Sequence, residues 1–402
     1  MISHIVRGVP YFTSKTKNTK TYAPLQNDIS TDVVIVGGGI TGILCAYYFS
    51  REGINTVLVE KNHIAQGSTA ITTSLLQYEL DDLIDDLEKS YMLPNIIKSY
   101  KFGAKGLKEI EKLINNLNIQ CDYVSRDCLL YTNDTEKINK IYYEYEKRNH
   151  NRFDVAFIED NSGKFDFSFD IKAGVYAYNA GAEIDPVKFT NQLAVHAENN
   201  GAKIFENTEV KSYTSSQDSV ILKTTTNNIK CKKVIIATGY DISDFTLKRY
   251  AKLSTTYNIV TSPIENITGW NNNCLIKTAE STYSYLRTTP DNRIIIGGED
   301  TRFIPELLEE SVAKRHYKKL EEKLGQMFPH LTYTIDYEFN GVFGTTPDNL
   351  GYIGPNPKDK NIWYCLGYGA NGILFSTYGA KMLSKLYKGV RYEDLDLVSL
   401  DR

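Results

Sequence analysis

The sequence predicts an α/β fold, in which buried parallel strands alternate with helices. A short apolar run over Val33–Val36 is typical of a strand that is buried on both faces. An apolar helical pattern follows over residues 40–50 and stops at Gly53, and a second buried strand covers Thr56–Val59. Far along the chain, another apolar run over residues 233–237 also breaks at a glycine. This order of strand, helix and strand predicts a βαβ unit in a parallel sheet.

The turn between the first strand and the helix fits the spacing G-x-G-x-x-G, with glycines at Gly37, Gly39 and Gly42. The first permits a tight turn, the second lets the backbone approach a pyrophosphate, and the third lets helix and strand pack closely. Glu60 ends the second strand eighteen residues after Gly42, where a carboxylate can accept hydrogen bonds from both hydroxyls of a ribose. These offsets predict a Rossmann-like dinucleotide site, and the motif alone leaves FAD and NAD both open.

The loop over residues 61–77 is rich in small hydroxyl residues. Such loops are usually plain turns, but this one directly follows the acid-ended strand and can return toward the phosphates. Later, a second glycine-rich turn over residues 367–372 opens the last predicted helix, and the start of a helix favours negative charge. We therefore interpret both segments as cofactor contacts.

The remaining elements follow from periodicity and from turn residues. The predicted helices cover residues 78–118, 135–149, 186–199, 305–327 and 373–387. The predicted strands cover residues 123–131, 164–170, 202–205, 209–213, 219–226, 255–261, 283–289, 293–297, 333–343 and 362–366.

Composition excludes several classes of function. The net charge of −3 argues against a nucleic-acid partner that is attracted by bulk charge. The six cysteines are scattered without a C-x-x-C pair and the six histidines are unpaired, so we expect neither a disulfide framework nor a metal site. No stretch approaches eighteen apolar residues and the N-terminus has no apolar signal region, so we expect no transmembrane segment and a cytoplasmic location.

Four separated motifs stand in one order: GGGITG with Glu60, the Gly67-Ser-Thr loop, the Ala237-Thr-Gly strand end, and the C-terminal glycine-rich turn. In this the chain resembles the D-amino-acid oxidase/DadA-type FAD-dependent oxidoreductases, which include glycine oxidase, sarcosine oxidase and gamma-glutamylputrescine oxidoreductase. The resemblance covers residues 25–390. Two stretches, 285–300 and 345–355, are most similar to the branch whose members sometimes carry a C-terminal Rieske domain.

The resemblance implies FAD as the cofactor, and it implies contacts by position. At the adenosine and phosphate end, Gly37, Gly39 and Gly42 would meet the pyrophosphate, Glu60 the ribose, Ser68 and Thr69 the phosphates, and the backbone of Val210 the adenine. At the flavin end, Thr72 and Thr73 would lie near the isoalloxazine, and Gly369, Asn371, Gly372 and Ile373 would reach its pyrimidine ring. Thr238 and Gly239 would cover the cofactor, and further contacts would come from Ile40, Thr41 and Lys61.

The chain departs from the family in two places. The family's W-x-G-x-R-P arginine, which clamps a substrate carboxylate, falls on Phe343. Arg287 is a candidate replacement, and a surface or ion-paired arginine is the alternative. The cysteine to which sarcosine-oxidase-like members tie their flavin is missing, so we expect FAD without a covalent bond. Pocket candidates, each with a purely structural role as the alternative, are Tyr257, Tyr283, Arg287, Phe343 and Tyr368.

The resulting hypothesis is a two-domain flavoenzyme. A discontinuous FAD domain would cover residues 1–90, 172–244 and 335–402, and an α+β substrate domain on a mixed, largely antiparallel sheet would cover residues 91–171 and 245–334. We expect oxidation of a C–N bond in an amine or amino-acid-like molecule by hydride transfer to flavin N5, with no catalytic residue assigned. One alternative is a flavin dehydrogenase that acts on another bond and passes electrons to a carrier protein. The other is a non-catalytic, FAD-binding redox sensor.

Overall fold

The computed structural model describes residues 6–16, 19–160, 163–240, 251–280, 282–304 and 310–402. Within these ranges the strands are β1 (Val6–Gly8), β2 (Ile29–Ser30), β3 (Val33–Val36), β4 (Thr56–Val59), β5 (Leu75–Gln77), β6 (Val124–Thr132), β7 (Val155–Glu159), β8 (Ala173–Glu183), β9 (Lys203–Phe205), β10 (Val210–Ser215), β11 (Val220–Thr224), β12 (Asn228–Cys231), β13 (Lys233–Ile236), β14 (Lys252–Thr261), β15 (Leu275–Thr278), β16 (Ser284–Thr288), β17 (Ile294–Arg302), β18 (Ile335–Thr345), β19 (Tyr352–Asn356) and β20 (Asp359–Leu366). The α-helices of the same ranges are α1 (Tyr11–Lys15), α2 (Ile40–Arg51), α3 (Ser68–Ile71), α4 (Ile84–Leu87), α5 (Leu93–Leu117), α6 (Ile138–His150), α7 (Pro186–Asn199), α8 (Glu310–Met327) and α9 (Gly372–Tyr387).

A six-stranded sheet in the order β19-β20-β13-β3-β4-β9 confirms the predicted Rossmann-like unit. All neighbours in it are parallel except β19 and β20, which are antiparallel. Val33 and Ile35 face a core formed with α2, α5, α7 and α9, while Val34 and Val36 face a second core. That second core is closed by a four-stranded sheet in the order β10-β11-β12-β2. The six-stranded sheet is thus the middle layer of three.

The large sheet has ten strands in the path β1-β18-β14-β17-β16-β15-β6-β8-β5, with β7 paired to β8 beside β5. Every pair is antiparallel except β15 with β6, so the prediction of a mixed, largely antiparallel sheet is confirmed. One face packs under α8 through Tyr257 and Ile259. The other face packs on α1 and α3 through Val260 and Ile295, so it lies toward the six-stranded sheet.

The division of the chain into two domains stays a prediction. Four described strands from stretches assigned to the FAD domain, β1, β5, β8 and β18, pair in the ten-stranded sheet. Among the helices that the structure describes, none combines the length and the apolar character that a membrane crossing requires.

Two predicted elements are wrong. Residues 164–170 do not form a strand: Phe167 makes one isolated bridge to Trp270, and the neighbouring phenylalanines pack against Tyr131, Tyr176 and Phe328. The alternation therefore arises from a loop that covers a core. Residues 78–118 are not one helix, because α4 and α5 are separated and residues 78–83 are irregular. Pro305, the predicted start of the long charged helix, lies outside the described residues.

Candidate active site

Three turns leave the same edge of the six-stranded sheet. The parallel neighbours β3, β13 and β20 end at Val36, Ile236 and Leu366, and each is followed at once by a glycine-containing turn. From β3 the chain crosses to β4 on one side, and it later returns to β13 on the other side. Such a reversal of strand order opens a crevice at the carboxyl ends of the strands, where cofactors bind in open α/β sheets.

The first turn has the close approach that its glycines predict. A Cβ atom on Gly42 would lie 1.8 Å from the carbonyl oxygen of Gly37, so only glycine lets α2 pack on the turn. A Cβ atom on Gly38 would lie 2.8 Å from the Cβ atom of Glu60. Gly38 therefore has a steric role of its own, which the G-x-G-x-x-G spacing did not reveal.

The Glu60 carboxylate lies directly beneath this turn. It accepts hydrogen bonds from the backbone N–H groups of Gly38 at 2.6 Å and of Asn62 at 2.8 Å. Burial raises the pKa of Glu60, and the two N–H donors and Lys61 oppose that rise. An ionised carboxylate has about four acceptor positions, so acceptor capacity remains for the hydroxyls of a ribose. The N–H group of Thr208 donates to the Glu60 carbonyl at 2.8 Å. The segment that leads into β10, which begins at Val210, therefore lies beside Glu60.

The loop after Glu60 returns to the turn, as predicted. The hydroxyl of Thr69 accepts the N–H group of Ile40, in the first turn of α2, at 3.0 Å, and Gly67, which precedes α3, has a positive φ of 70°. Further along, the hydroxyl of Thr72 accepts the N–H group of Ser74 at 3.1 Å.

Arg287 fixes the end of this loop and is completely buried. Its Nη1 donates to the carbonyl oxygens of Thr73 at 3.2 Å, Ser74 at 3.1 Å and Ile184 at 3.0 Å. Ser74 has a positive φ of 58°, an uncommon conformation for a residue other than glycine, and these contacts hold it. Burial lowers the pKa of Arg287, and the nearby Glu183 carboxylate at 3.6 Å opposes that shift. Arg287 thus shapes the loop at Thr72 and Thr73.

The second glycine turn repeats the geometry of the first. A Cβ atom on Gly372 would lie 2.4 Å from the carbonyl oxygen of Gly367, and Gly369 has a positive φ of 74°. The side-chain amide of Asn371 donates to the carbonyl of Glu79 at 2.6 Å, which ties the turn to the irregular segment before α4. Ile373 follows as the second residue of α9.

The third turn follows β13 at Thr238 and Gly239. Gly239 has a positive φ of 59°, and no atom of the described residues lies within 4 Å of the position that its Cβ would take. The hydroxyl of Thr238 is buried and has no partner among the described residues. Tyr368 donates from its hydroxyl to the carbonyl of Gly239 at 3.3 Å, and its ring stacks on Tyr240 at 5.6 Å.

The large sheet presents a polar face toward these turns. Thr256 lies opposite Gly341 in the pairing of β14 with β18, so Phe343, two residues further on, shares its face. The hydroxyls of Thr256 and Tyr285 lie 2.8 Å apart, and the rings of Tyr285 and Tyr283 are 5.9 Å apart. Four of the five predicted pocket residues, Tyr283, Arg287, Phe343 and Tyr368, therefore lie on this face or at the turns.

Tyr257 does not lie with them. Its ring stacks on His316 of α8 at 4.2 Å, and its hydroxyl lies 3.3 Å from that of Thr301, on the opposite face of the sheet. The sequence predicted that Tyr257 lies in a strand, but the strand pattern does not reveal which face of the sheet carries its side chain.

Asp300 belongs to the polar face, and sequence reasoning missed it. Gly298, with a φ of 139°, and Glu299, with a φ of 54°, interrupt the pairing of β17 with β14. Such a bulge re-aims the next side chain. Glu299 therefore turns to Lys319 of α8 at 3.0 Å, and Asp300 turns to the hydroxyl of Tyr283 at 2.5 Å. The Gly297-Gly298 pair inside a strand pattern was the available signal.

A family model described as "DAO: FAD dependent oxidoreductase" matches residues 32–386. The chain belongs to the DAO family of FAD-dependent oxidoreductases. It is 24% identical over 391 residues to the gamma-glutamylputrescine oxidoreductase of Escherichia coli (strain K12), which covers 94% of this chain and 88% of that protein. It is 23% identical over 399 residues to YhfW of Bacillus subtilis (strain 168), a protein named for a Rieske 2Fe-2S iron–sulfur group, covering 95% and 74%.

The DAO fold is confirmed by solved structures. The crystal structure of glycine oxidase from Geobacillus kaustophilus superposes with a TM-score of 0.78 at 18% identity, over 93% of this chain and 99% of that chain. The residues present fit the family's FAD. Thr238 has a buried hydroxyl without a partner among the described residues, and none of their atoms lies within 4 Å of a Cβ built on Gly239. Gly39 and Gly372 begin helices at one sheet edge.

Proposed function

We propose that this protein oxidises the C–N bond of a small amine or amino-acid-like molecule. A hydride would leave the carbon next to nitrogen and a proton would leave the nitrogen, giving an imine that water hydrolyses to a carbonyl compound and an amine or ammonia. FAD, when bound, supplies the hydride acceptor at N5. The observation that carries the proposal is the polar face of Thr256, Tyr283 and Tyr285, which lies toward the three glycine turns.

In this proposal the chain's own residues bind, orient and exclude water. The Gly37–Gly42 turn and the start of α2 would meet the pyrophosphate, and Glu60 would meet the ribose. The loop held by Arg287 and the turn at Gly369 would border the isoalloxazine. The positive end of the α9 dipole would favour negative charge at the pyrimidine end, which makes the cofactor a better acceptor. Orienting the substrate against the cofactor supplies much of the reduction in the activation barrier, so the pocket need not provide an acid or a base.

An anaerobic titration tests the proposal. Purified holoprotein is mixed with a panel of amines and amino acids, and the visible absorption band of the flavin is followed. We expect at least one amine or amino acid to bleach the band at a catalytic rate, and air or a dye to restore it. Failure of every nitrogen compound, with bleaching by a hydroxy acid instead, contradicts the proposal and favours oxidation of another bond. Comparison of air with dyes also tests the predicted alternative of an electron-acceptor protein.

A further inference from the structure

We propose that Asp300 binds the ammonium group of the substrate, so that the site takes a cationic amine that carries no α-carboxylate. This inference rests on the proposed function and names its substrate class. It starts from the bulge at Gly298 and Glu299, which aims Asp300 at the polar face while its neighbour Glu299 contacts α8.

Of the two carboxylate oxygens of Asp300, one has a hydrogen-bond partner among the described residues and the other has none. Its Oδ2 accepts the Tyr283 hydroxyl at 2.5 Å, while its Oδ1 is buried and has no partner among the described residues. A buried carboxylate oxygen without a donor is costly, and an ammonium group brings three donors. The missing donor is therefore of the kind that a protonated amine supplies.

A second buried atom indicates a ligand independently. Asn258 is 1% exposed and lies on the same face, two residues from Thr256. Its Oδ1 meets the Tyr285 hydroxyl at 3.4 Å, but its Nδ2 has no partner among the described residues. Deeply buried amide donors are rarely left unpaired in the absence of a ligand or water.

The charges around this face favour a cation. Asp81 carries a second carboxylate, which accepts the N–H group of Ala370 at 3.1 Å beside Gly369. Two cations of the described residues are engaged elsewhere: the Lys277 ammonium donates to the carbonyls of Leu80 and Asp81, each at 2.8 Å, and Arg287 is buried against the loop.

The aromatic rings of Phe343, Tyr283 and Tyr285 also favour a cationic substrate without a carboxylate. Phe343 presents an apolar ring on this face, so its side chain offers a substrate carboxylate no fork of donors. The rings of Tyr283 and Tyr285 border Asp300, and their faces attract a cation. Among the described residues of this face, the unpaired acceptor oxygen of Asp300 and the apolar ring of Phe343 both favour an amine over an amino acid.

Matched ligand pairs test the inference on the unmodified holoprotein. The pairs are 1,4-diaminobutane with ornithine and 1,5-diaminopentane with lysine, whose members differ only by the α-carboxylate. Dissociation constants come from the perturbation of the flavin spectrum under anaerobic conditions. We expect each diamine to bind at least about tenfold more tightly than its amino acid. Equal or tighter binding of the amino acids overturns the inference.

Two variants add a residue-level test. Asp300→Asn should weaken diamine binding at least about tenfold, whereas the control Glu299→Gln removes the adjacent carboxylate on the opposite face and should stay within about twofold. Unchanged diamine binding in Asp300→Asn contradicts the inference. If that variant does not retain FAD, the ligand pairs decide alone.

The outcomes separate the two proposals. If diamines bind selectively but no amine or amino acid reduces the flavin, the proposed function fails and the cation site stands. If both members of each pair bind equally and reduce the flavin, the proposed function stands and the Asp300 site fails.

Discussion

The side-chain oxygens of Thr41 and Ser376 lie 2.8 Å apart, although 335 residues separate them in the chain. This hydrogen bond joins the first turn of α2 to the second turn of α9. The two helices begin beside β3 and β20, which flank β13 on either side. A cofactor stretched along this edge of the sheet can therefore meet both helix starts.

Loss of this hydrogen bond should loosen the pairing of the two helices. Thr41→Val keeps the shape of the side chain but leaves the hydroxyl of Ser376, which is fully buried, without this partner. We expect a loss of about 1–3 kcal/mol in the free energy of unfolding, measured with urea. The double variant Thr41→Val/Ser376→Ala removes both polar groups and should recover part of that loss. Equal stability of the single variant and the unmodified protein would show that the bond contributes nothing.

Gly42→Ala should separate α2 from the first turn. Its added methyl group would meet the Gly37 carbonyl at 1.8 Å, and overpacking of this kind costs about 1–3 kcal/mol or more. We expect a lower melting temperature and less FAD per protein, read from the ratio of visible to ultraviolet absorbance. Gly53→Ala is the control, because a Cβ there would have no atom of the structurally described chain within 4 Å, and its positive φ of 70° opposes the change by about 1–2 kcal/mol. A full FAD content in Gly42→Ala would contradict the packing argument.

The βαβ unit could be predicted because its information is local. Residues 33–36 and 56–59 form strands as predicted, and the glycine offsets depend only on short-range geometry. Asp300 could not be assigned, because its partner Tyr283 lies just before the neighbouring strand β16 and its own direction depends on a bulge. β8 was also missed, since its sequence, AGVYAYNAGAE, is rich in alanine and glycine, which are depleted in strands. Pairing on both of its sides stabilises it instead.

Arg287→Met should act on stability more than on substrate binding. The variant removes the donor that three backbone carbonyls share, and it leaves the buried Glu183 paired with Arg126 alone. Removal of one partner from a buried ion pair costs about 3–5 kcal/mol, so we expect a marked drop in unfolding free energy and an altered flavin spectrum. Arg287→Lys keeps the charge without the planar fork and should recover little. Unchanged stability with weaker binding of amino acids would indicate a pocket arginine instead.

Diamine binding should depend on pH through Asp300. Burial raises the pKa of Asp300 to about 6, with Asp81 and Glu299 adding repulsion and with the hydrogen bond from Tyr283 and the nearby hydroxyl of Thr256 opposing it. A cation needs the ionised carboxylate, so affinity should be full above this pKa and should fall as pH drops through it, approaching tenfold per pH unit. Dissociation constants of 1,4-diaminobutane from about pH 7 to about pH 5 check this. Asp300→Asn should show no such fall, and an identical fall in that variant would point to Asp81.

Tyr257→Phe and Tyr285→Phe should differ, because the two hydroxyls lie on opposite faces of the large sheet. The Tyr257 hydroxyl meets Thr301 on the face covered by α8, so its loss should cost at most about 1 kcal/mol and leave the rate of flavin reduction unchanged. The Tyr285 hydroxyl links Thr256 to Asn258 on the face toward the glycine turns. Its loss leaves both partners short of a hydrogen bond at the site, and we expect a change of at least about threefold in the diamine dissociation constant. Stopped-flow reduction and the spectral titration measure both effects, and a slower reduction in Tyr257→Phe alone would reverse the assignment of the two faces.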